Sequence, residues 1–329
     1  MGQLPELFSR SQDESKKLSS DRACPRPRRL VFHLWPLLLL LGPSNGLVLQ
    51  AADAPETPAA SSLLRGSYCT YGAAPLLADK RVAVRTLVDQ IVDLHANTYR
   101  WIFRPEQPDN LADLKLFLPL AAAKNIRVWI TVNPPSERPK GLSPEVMHRE
   151  YREWAQALAR LSLAETNFVA WSIDDFVWNL KFFTPDEVKA MVLPAREINP
   201  RFGFVPCCYY SKITRPFARD YGPMLDGVMF PYRDESAGAN FQNSDHVEKE
   251  VKHVRELFGP ACPIIVGVFA SRHSKLGLST PDYVKRVMVA AKPWADGVSV
   301  YRHPNKTSDP EKYAIVKELF SGWSRDKKE

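Results

Sequence analysis

From residue 65 onward, short apolar runs alternate eight times with stretches of helical periodicity. The runs cover 66–71, 97–103, 126–132, 168–174, 202–208, 226–231, 264–269 and 297–301. They are rich in β-branched and aromatic residues and bounded by Gly, Pro, Asn or Asp, the signature of buried strands. The clearest helical stretches are 79–95, 143–164, 184–198, 245–258, 280–291 and 309–320. In the first, Val84, Leu87, Val88, Ile91 and Leu94 share one face. Ser143-Pro144, Thr184-Pro185 and Thr280-Pro281 are start signals, a capping hydroxyl followed by a proline at the first helical position. Parallel strands need a crossover between them, and a helix supplies it. Eight strand-then-helix units in about 260 residues predict an α/β fold of the (β/α)8 TIM-barrel type. An open doubly wound sheet would carry a Gly-rich phosphate turn after its first strand. Ser67-Tyr-Cys-Thr-Tyr-Gly72 carries none.

The 329 residues, 45% hydrophobic and 25% charged, suffice for a barrel with a large core. The net charge is +7, but Lys and Arg are interspersed with Asp and Glu. That pattern predicts a mixed solvated surface and no nucleic-acid partner. Ahead of the barrel, Arg22, Arg26, Arg28 and Arg29 precede the apolar run Leu30–Leu41, and Ala52-Asp53-Ala54 offers small residues for cleavage. Residues 1–54 therefore read as a signal peptide or membrane anchor with a long basic flank. Residues 55–64 read as linker, 65–322 as barrel and 323–329 as a charged tail. The expected location is periplasmic or extracellular, with membrane attachment only through an uncleaved N-terminal segment. Cys69, Cys207, Cys208 and Cys262 have no CxxC spacing and read as packing thiols rather than a metal site. No cofactor-binding or metal-binding pattern is present in the sequence.

In such barrels the chemistry sits at the C-terminal strand ends. The fourth run ends in Asp174-Asp175. Alternation places Ala170, Ser172 and Asp174 on one face, Val169, Trp171 and Ile173 on the other. The small set should face the barrel interior, so Asp174 points at the mouth. Two adjacent carboxylates in a confined mouth repel, so one holds its proton at neutral pH, as a general acid must. The alternative is that Asp175 caps the following helix or pairs with an Arg. Asp234 and Glu235, after the sixth run, are reserve catalytic carboxylates. Tyr71, Trp101, Trp178, Tyr209, Tyr210, Tyr232 and Tyr301 lie at or near strand ends, with Arg104 and Asn133. Rings with polar tips suit sugars, which offer both apolar faces and hydroxyls.

The stretch Phe168-Val-Ala-Trp-Ser-Ile-Asp-Asp-Phe176 resembles the fourth strand of the O-GlcNAcase (hyaluronidase-like) family of glycoside hydrolases. Phe204-Val-Pro-Cys-Cys-Tyr-Tyr-Ser211 is similar to that family's fifth strand. The resemblance implies a (β/α)8 barrel acting on β-linked N-acetylglucosamine. It implies that Asp174 orients the substrate's 2-acetamido group and that Asp175 is the acid/base. The acetamido oxygen would then be the nucleophile, an exception to the two-carboxylate scheme. That family's seventh-strand region carries an Asn and an Asp that grip the sugar, and Val266–His273 has neither.

Three functions follow as expectations. The first is a glycoside hydrolase acting on a glycan through Asp174 and Asp175. The second is a non-catalytic carbohydrate-binding barrel whose carboxylates are held by Arg104, Arg233 or Arg302. The third is a metal-dependent hydrolase or isomerase, which needs three or four ligands converging within metal-bond distance.

Overall fold

The computed structural model describes residues 59–103 and 108–325. The signal or anchor segment, the first part of the linker and Arg104 lie outside the described residues. Eight parallel strands form one sheet: β1 Ser67–Tyr71, β2 Thr98–Phe103, β3 Arg127–Val132, β4 Phe168–Ile173, β5 Gly203–Phe204, β6 Val228–Pro231, β7 Ile264–Phe269 and, after a small hairpin, β10 Gly297–Tyr301. The order is β5-β4-β3-β2-β1-β10-β7-β6. The hairpin pairs β8 Arg272–His273 with β9 Gly277–Leu278.

The sheet closes on itself between β5 and β6. A parallel bridge joins Cys207 to Met229. The Cys208 N–H donates to the Met229 carbonyl at 2.8 Å, and the Asp226 N–H to that of Phe204 at 2.9 Å. Pro206 has no N–H to give, which is why β5 is only two residues long although the chain continues along the barrel. The eightfold alternation is thus a closed (β/α)8 barrel.

Each strand is followed by a helix: α2 Val84–Asp93, α3 Pro108–Ala122, α4 Pro144–Ala164, α5 Pro185–Ile198, α6 Arg215–Tyr221, α7 Val247–Phe258, α8 Pro281–Ala291 and α9 Pro310–Arg325. The hydroxyls of Ser143, Thr184, Thr214 and Thr280 accept the first-turn N–H groups of α4, α5, α6 and α8. Two helices, α3 and α6, are weak in the sequence. The first carries Pro119 in its interior and the second is a single seven-residue stretch, so neither sustains a helical period.

Two segments differ from their sequence reading. Ala60–Leu64, read as linker, is a short helix, α1, with Ala60 and Leu64 buried. Leu64 seats against Gly203 and Gly227 at the N-terminal ends of β5 and β6, where its methyl would lie 3.2 Å from a Cβ at Gly227. Within the stretch read as a charged tail, α9 runs on to Arg325, because Trp323 packs on Tyr68 and Phe320. Among the described residues no helix is long and apolar enough to cross a membrane.

The strand registers align Cys69, Ser299, Gly267 and Pro231 around one half of the lumen, and Tyr71, Arg100 and Trp129 around another arc. Gly267 is required there, since a Cβ would sit 2.9 Å from Pro231 Cα. Trp171, on the opposite face of β4 from Ser172, packs on Phe204 in a tilted ring pair with centroids 4.5 Å apart. Small inner residues such as Gly267 and Ser299 leave room at the top of the barrel.

Candidate active site

A cavity of about 360 Å³ opens at the C-terminal ends of the strands. The strands contribute Tyr71, Arg100, Met229, Pro231, Gly267, Phe269, Ser299 and Tyr301. Asp174, Asp175, Cys207 and Tyr209 follow β4 and β5 directly. Glu137 enters from the loop after β3, and Arg272, His273 and Ser274 from the β8–β9 hairpin region.

Asp174 leaves β4 with its N–H still on the Val132 carbonyl at 3.0 Å, so the strand direction carries its carboxylate into the mouth. It accepts the Tyr71 hydroxyl at 2.8 Å and the Asp175 N–H at 3.1 Å. Asp175 then turns the chain through the left-handed region, with φ 46° and ψ 31°. Asp is among the few side chains that tolerate this conformation. Its carbonyl is pinned by the Trp178 N–H at 3.0 Å and the Asn179 side-chain amide at 2.9 Å. Beyond it Phe176 is buried against Phe183 and Tyr221, anchoring the turn. The Asp175 carboxylate makes no cap bond to the following 3₁₀ turn and faces the cavity.

Burial is the largest influence on Asp175 and pushes its carboxyl above the ordinary value; the neighbouring Asp174 charge pushes the same way. The hydrogen bond from Tyr209 and the charge of Arg233 oppose them. Arg233 is itself fixed: its Nε and Nη2 reach Glu235 Oε1 at 3.0 and 2.5 Å, and its guanidinium lies 4.1 Å over the Tyr209 ring. The pair is thus asymmetric. Asp174 serves as an acceptor, and Asp175 is biased toward holding a proton.

His273 is held by its edge. Its Nδ1 accepts the N–H groups of Lys275 and Leu276 at 3.1 and 3.3 Å, which leaves the proton of the neutral ring on Nε2. Burial, then the charges of Arg233 and Lys275, lower its pKa, so it is neutral at pH 7. His303 is not in the cavity; it is buried between Thr70 and Gln90, and burial lowers its pKa to about 4.

Ligand atoms of Asp174, Asp175 and Cys207 lie within 4.8 Å of one another. Burial holds the Cys207 thiol well above its ordinary pKa, and the acid pair raises it further. Cys69, Cys207, Cys208 and Cys262 are unbonded thiols.

Of the aromatic residues singled out in the sequence, Tyr71, Tyr209 and Tyr301 line the cavity. Trp101 turns outward and packs on Phe117, its indole N–H on Asn110. Asn133 gives only its carbonyl, to the Tyr151 hydroxyl at 2.6 Å. Tyr210 faces Phe230 and His253. Tyr232 is fully buried under the β6 loop. Trp178 is exposed on the rim, 5.8 Å from the Tyr209 ring, with the Lys212 ammonium 4.8 Å over its face. The reserve carboxylates are engaged elsewhere. Asp234 is buried and takes His246 Nδ1 at 2.7 Å and Asn240 at 2.9 Å; Glu235 takes Arg233 and the Ser211 N–H. Neither lines the cavity.

Sequence reasoning at the strand ends overlooked Arg100. Its signal was present: it is the one charged residue of the run Thr98–Phe103, alternating with Tyr99 and Trp101. Arg272 and His273 follow the seventh strand in the sequence and do reach the mouth, whereas Glu137 gave no local signal, since only loop folding brings it there.

Fold and site together define a class: a closed (β/α)8 barrel with an acid pair at the C-terminal ends of its strands. The chain matches no protein-family model and no curated protein sequence. Among solved structures it is similar to a glycoside hydrolase family 5 enzyme from Prevotella bryantii, with TM-score 0.56 and 9% identity over 80% of this chain and 98% of that one. It is similar to a GH99 endo-α-mannosidase from Bacteroides thetaiotaomicron, with TM-score 0.54 and 13% identity over 75% and 85%. A β-D-glucuronidase from Dictyoglomus thermophilum gives TM-score 0.51 and 11% identity over 78% of this chain. The chain spans 50% of that enzyme's length. At such identities the likeness is one of fold.

Proposed function

We propose that this chain is a glycoside hydrolase that acts on a glycan, with Asp175 as the general acid. The observation that carries this reading is the asymmetry of the acid pair: Asp174 accepts from Tyr71, whereas Asp175 is half-buried in the cavity with a raised pKa. A carboxyl that keeps its proton can protonate the leaving glycosidic oxygen as the C1–O bond breaks. Tyr209, Tyr301 and the rim residue Trp178 offer stacking surface to sugar rings.

The finer form of the proposal draws on the likeness to O-GlcNAcase barrels. The substrate's acetamido oxygen attacks C1 as Asp175 gives its proton to the departing oxygen. Asp174 holds the acetamido N–H, and water, losing its proton to Asp175, then opens the cyclic intermediate. In its favour, neither Asp234 nor Glu235 lines the cavity, so neither forms a conventional two-carboxylate pair with Asp175.

Hydrolysis of a panel of aryl glycosides, including the N-acetylglucosaminide, by the full chain and by Asp175→Asn tests both levels. Turnover that Asp175→Asn abolishes while the fold persists supports the acid role. Turnover restricted to acetamido sugars supports substrate assistance. Saturable sugar binding with no turnover of any glycoside would replace the hydrolase by a carbohydrate-binding barrel.

A further inference from the structure

We propose that the cavity takes an anionic sugar and that Arg100 reads its charge; this rests on the reading of the cavity as a glycan site. Arg100 sits in the middle of β2, and its side chain crosses the lumen. Its two terminal nitrogens reach Ser299 Oγ on β10 at 3.2 Å and Thr131 Oγ1 on β3 at 3.3 Å. Its guanidinium lies 4.4 Å over the Tyr71 ring. It is 2% exposed and lines the cavity floor.

Every one of these partners is neutral. The Nε atom is buried and has no hydrogen-bond partner. Arg100 enters no ion pair among the described residues, whereas the part-buried Arg138 and Arg233 each hold a glutamate. A guanidinium does not shed its proton, and a desolvated cation without a counter-ion is costly. The acid pair does not discharge it at contact distance: Asp174 is bonded to the Tyr71 hydroxyl, with the Tyr71 ring facing Arg100. The floor therefore has spare N–H donors in a rigid fork and a positive charge to satisfy. An oxyanion carried on a sugar supplies both, since two oxygens of a carboxylate or of a tetrahedral oxyanion pair with the fork through two parallel bonds. Arg272 and Ser274, on the rim, add a second cation and a hydroxyl to the same cavity. The charge on the sugar is a carboxylate, as in a uronic acid, or a sulfate ester.

Calorimetric titration of the full chain with glucose, glucuronate and glucose 6-sulfate tests the proposal. We expect at least one of the two anions to bind about tenfold more tightly than glucose or better. The anion that wins assigns the group. In Arg100→Met the charged-to-neutral ratio should fall to about one, and in Arg100→Lys, which keeps the charge and loses the fork, it should fall only in part. Circular dichroism establishes that each variant is folded; if Arg100→Met is not, a ratio unchanged in Arg100→Lys counts against the proposal. Wild-type binding of neither anion, equal binding of all three sugars, or a preference that survives Arg100→Met overturns it. Hydrolysis is scored separately. Cleavage without charge preference removes this proposal and leaves the hydrolase reading. Charge-dependent binding without cleavage of any glycoside does the reverse.

Discussion

Two acidic dipeptides stand in matching positions, after β4 and after β6, and are built on the same turn. In each, an Asp takes the left-handed conformation, Asp175 with φ 46° and Asp234 with φ 51°, and a 3₁₀ turn follows at once. Their surroundings then diverge. Asp234 is sealed from solvent and satisfied by His246 and Asn240, and Glu235 clamps Arg233. Asp175 faces a cavity, has another carboxylate beside it and is biased toward its protonated form. The same local geometry thus serves structure at one strand end and leaves reactive capacity at the other. What separates the two is the set of partners, not the backbone. The β6 end also serves the β4 end, because Glu235 holds Arg233 over Tyr209, which hydrogen-bonds Asp175.

This contrast predicts opposite consequences for similar substitutions. The largest effect is expected for Asp175→Asn, which should lower turnover by about 10²–10⁴-fold while leaving the melting temperature nearly unchanged. Comparable losses in both quantities would end the distinction. Asp234→Ala should act the other way, destabilising the fold by about 1–3 kcal/mol because His246 and Asn240 lose a buried acceptor. Denaturant melts measure this directly.

The next effect is in pH. Glu250 lies under the β6 loop and accepts the Ser236 N–H at 2.9 Å; burial raises its pKa from 4.5 to about 7. The folded state therefore binds the proton more tightly than the unfolded chain. Stability from this group is present at low pH and declines as pH rises from 4.5 to about 7. Glu250→Gln should flatten that decline in a series of thermal melts. At the β4 end a raised pKa should appear in rate instead, with turnover falling as pH rises through the Asp175 pKa. The smallest effect expected is that of Tyr209→Phe. It removes a bond that favours ionised Asp175, so the falling limb should move to higher pH. A shift to lower pH would break the link between Arg233, Tyr209 and the acid.

Much of the site was legible through strand parity. Ser299 and Tyr301 both line the cavity, and so do Cys207 and Tyr209, each pair two residues apart on one strand run. The odd neighbours point away. Trp101 follows inward Arg100, Tyr210 follows inward Tyr209, and Tyr232 follows inward Pro231; none of the three lines the cavity. Counting by two along each strand therefore sorts the aromatic residues that proximity to a strand end alone does not. Parity also singles out Arg100, a charge on the inner face of a buried strand.

The sequence by itself determined the eight strands, six of the eight helices that follow them, the capped helix starts and the inward aim of Asp174, because hydrophobic period and capping chemistry are local properties of the chain. Tertiary structure alone decided which carboxylates are spent. Asp234 meets His246 twelve residues on, and Arg100 meets Ser299 one hundred and ninety-nine residues on. It also decided that Glu137 reaches the mouth, and that β5 closes on β6 past Pro206. Charge pairing and desolvation depend on distances of a few ångströms between residues far apart in the chain, and no periodicity along the sequence encodes those distances.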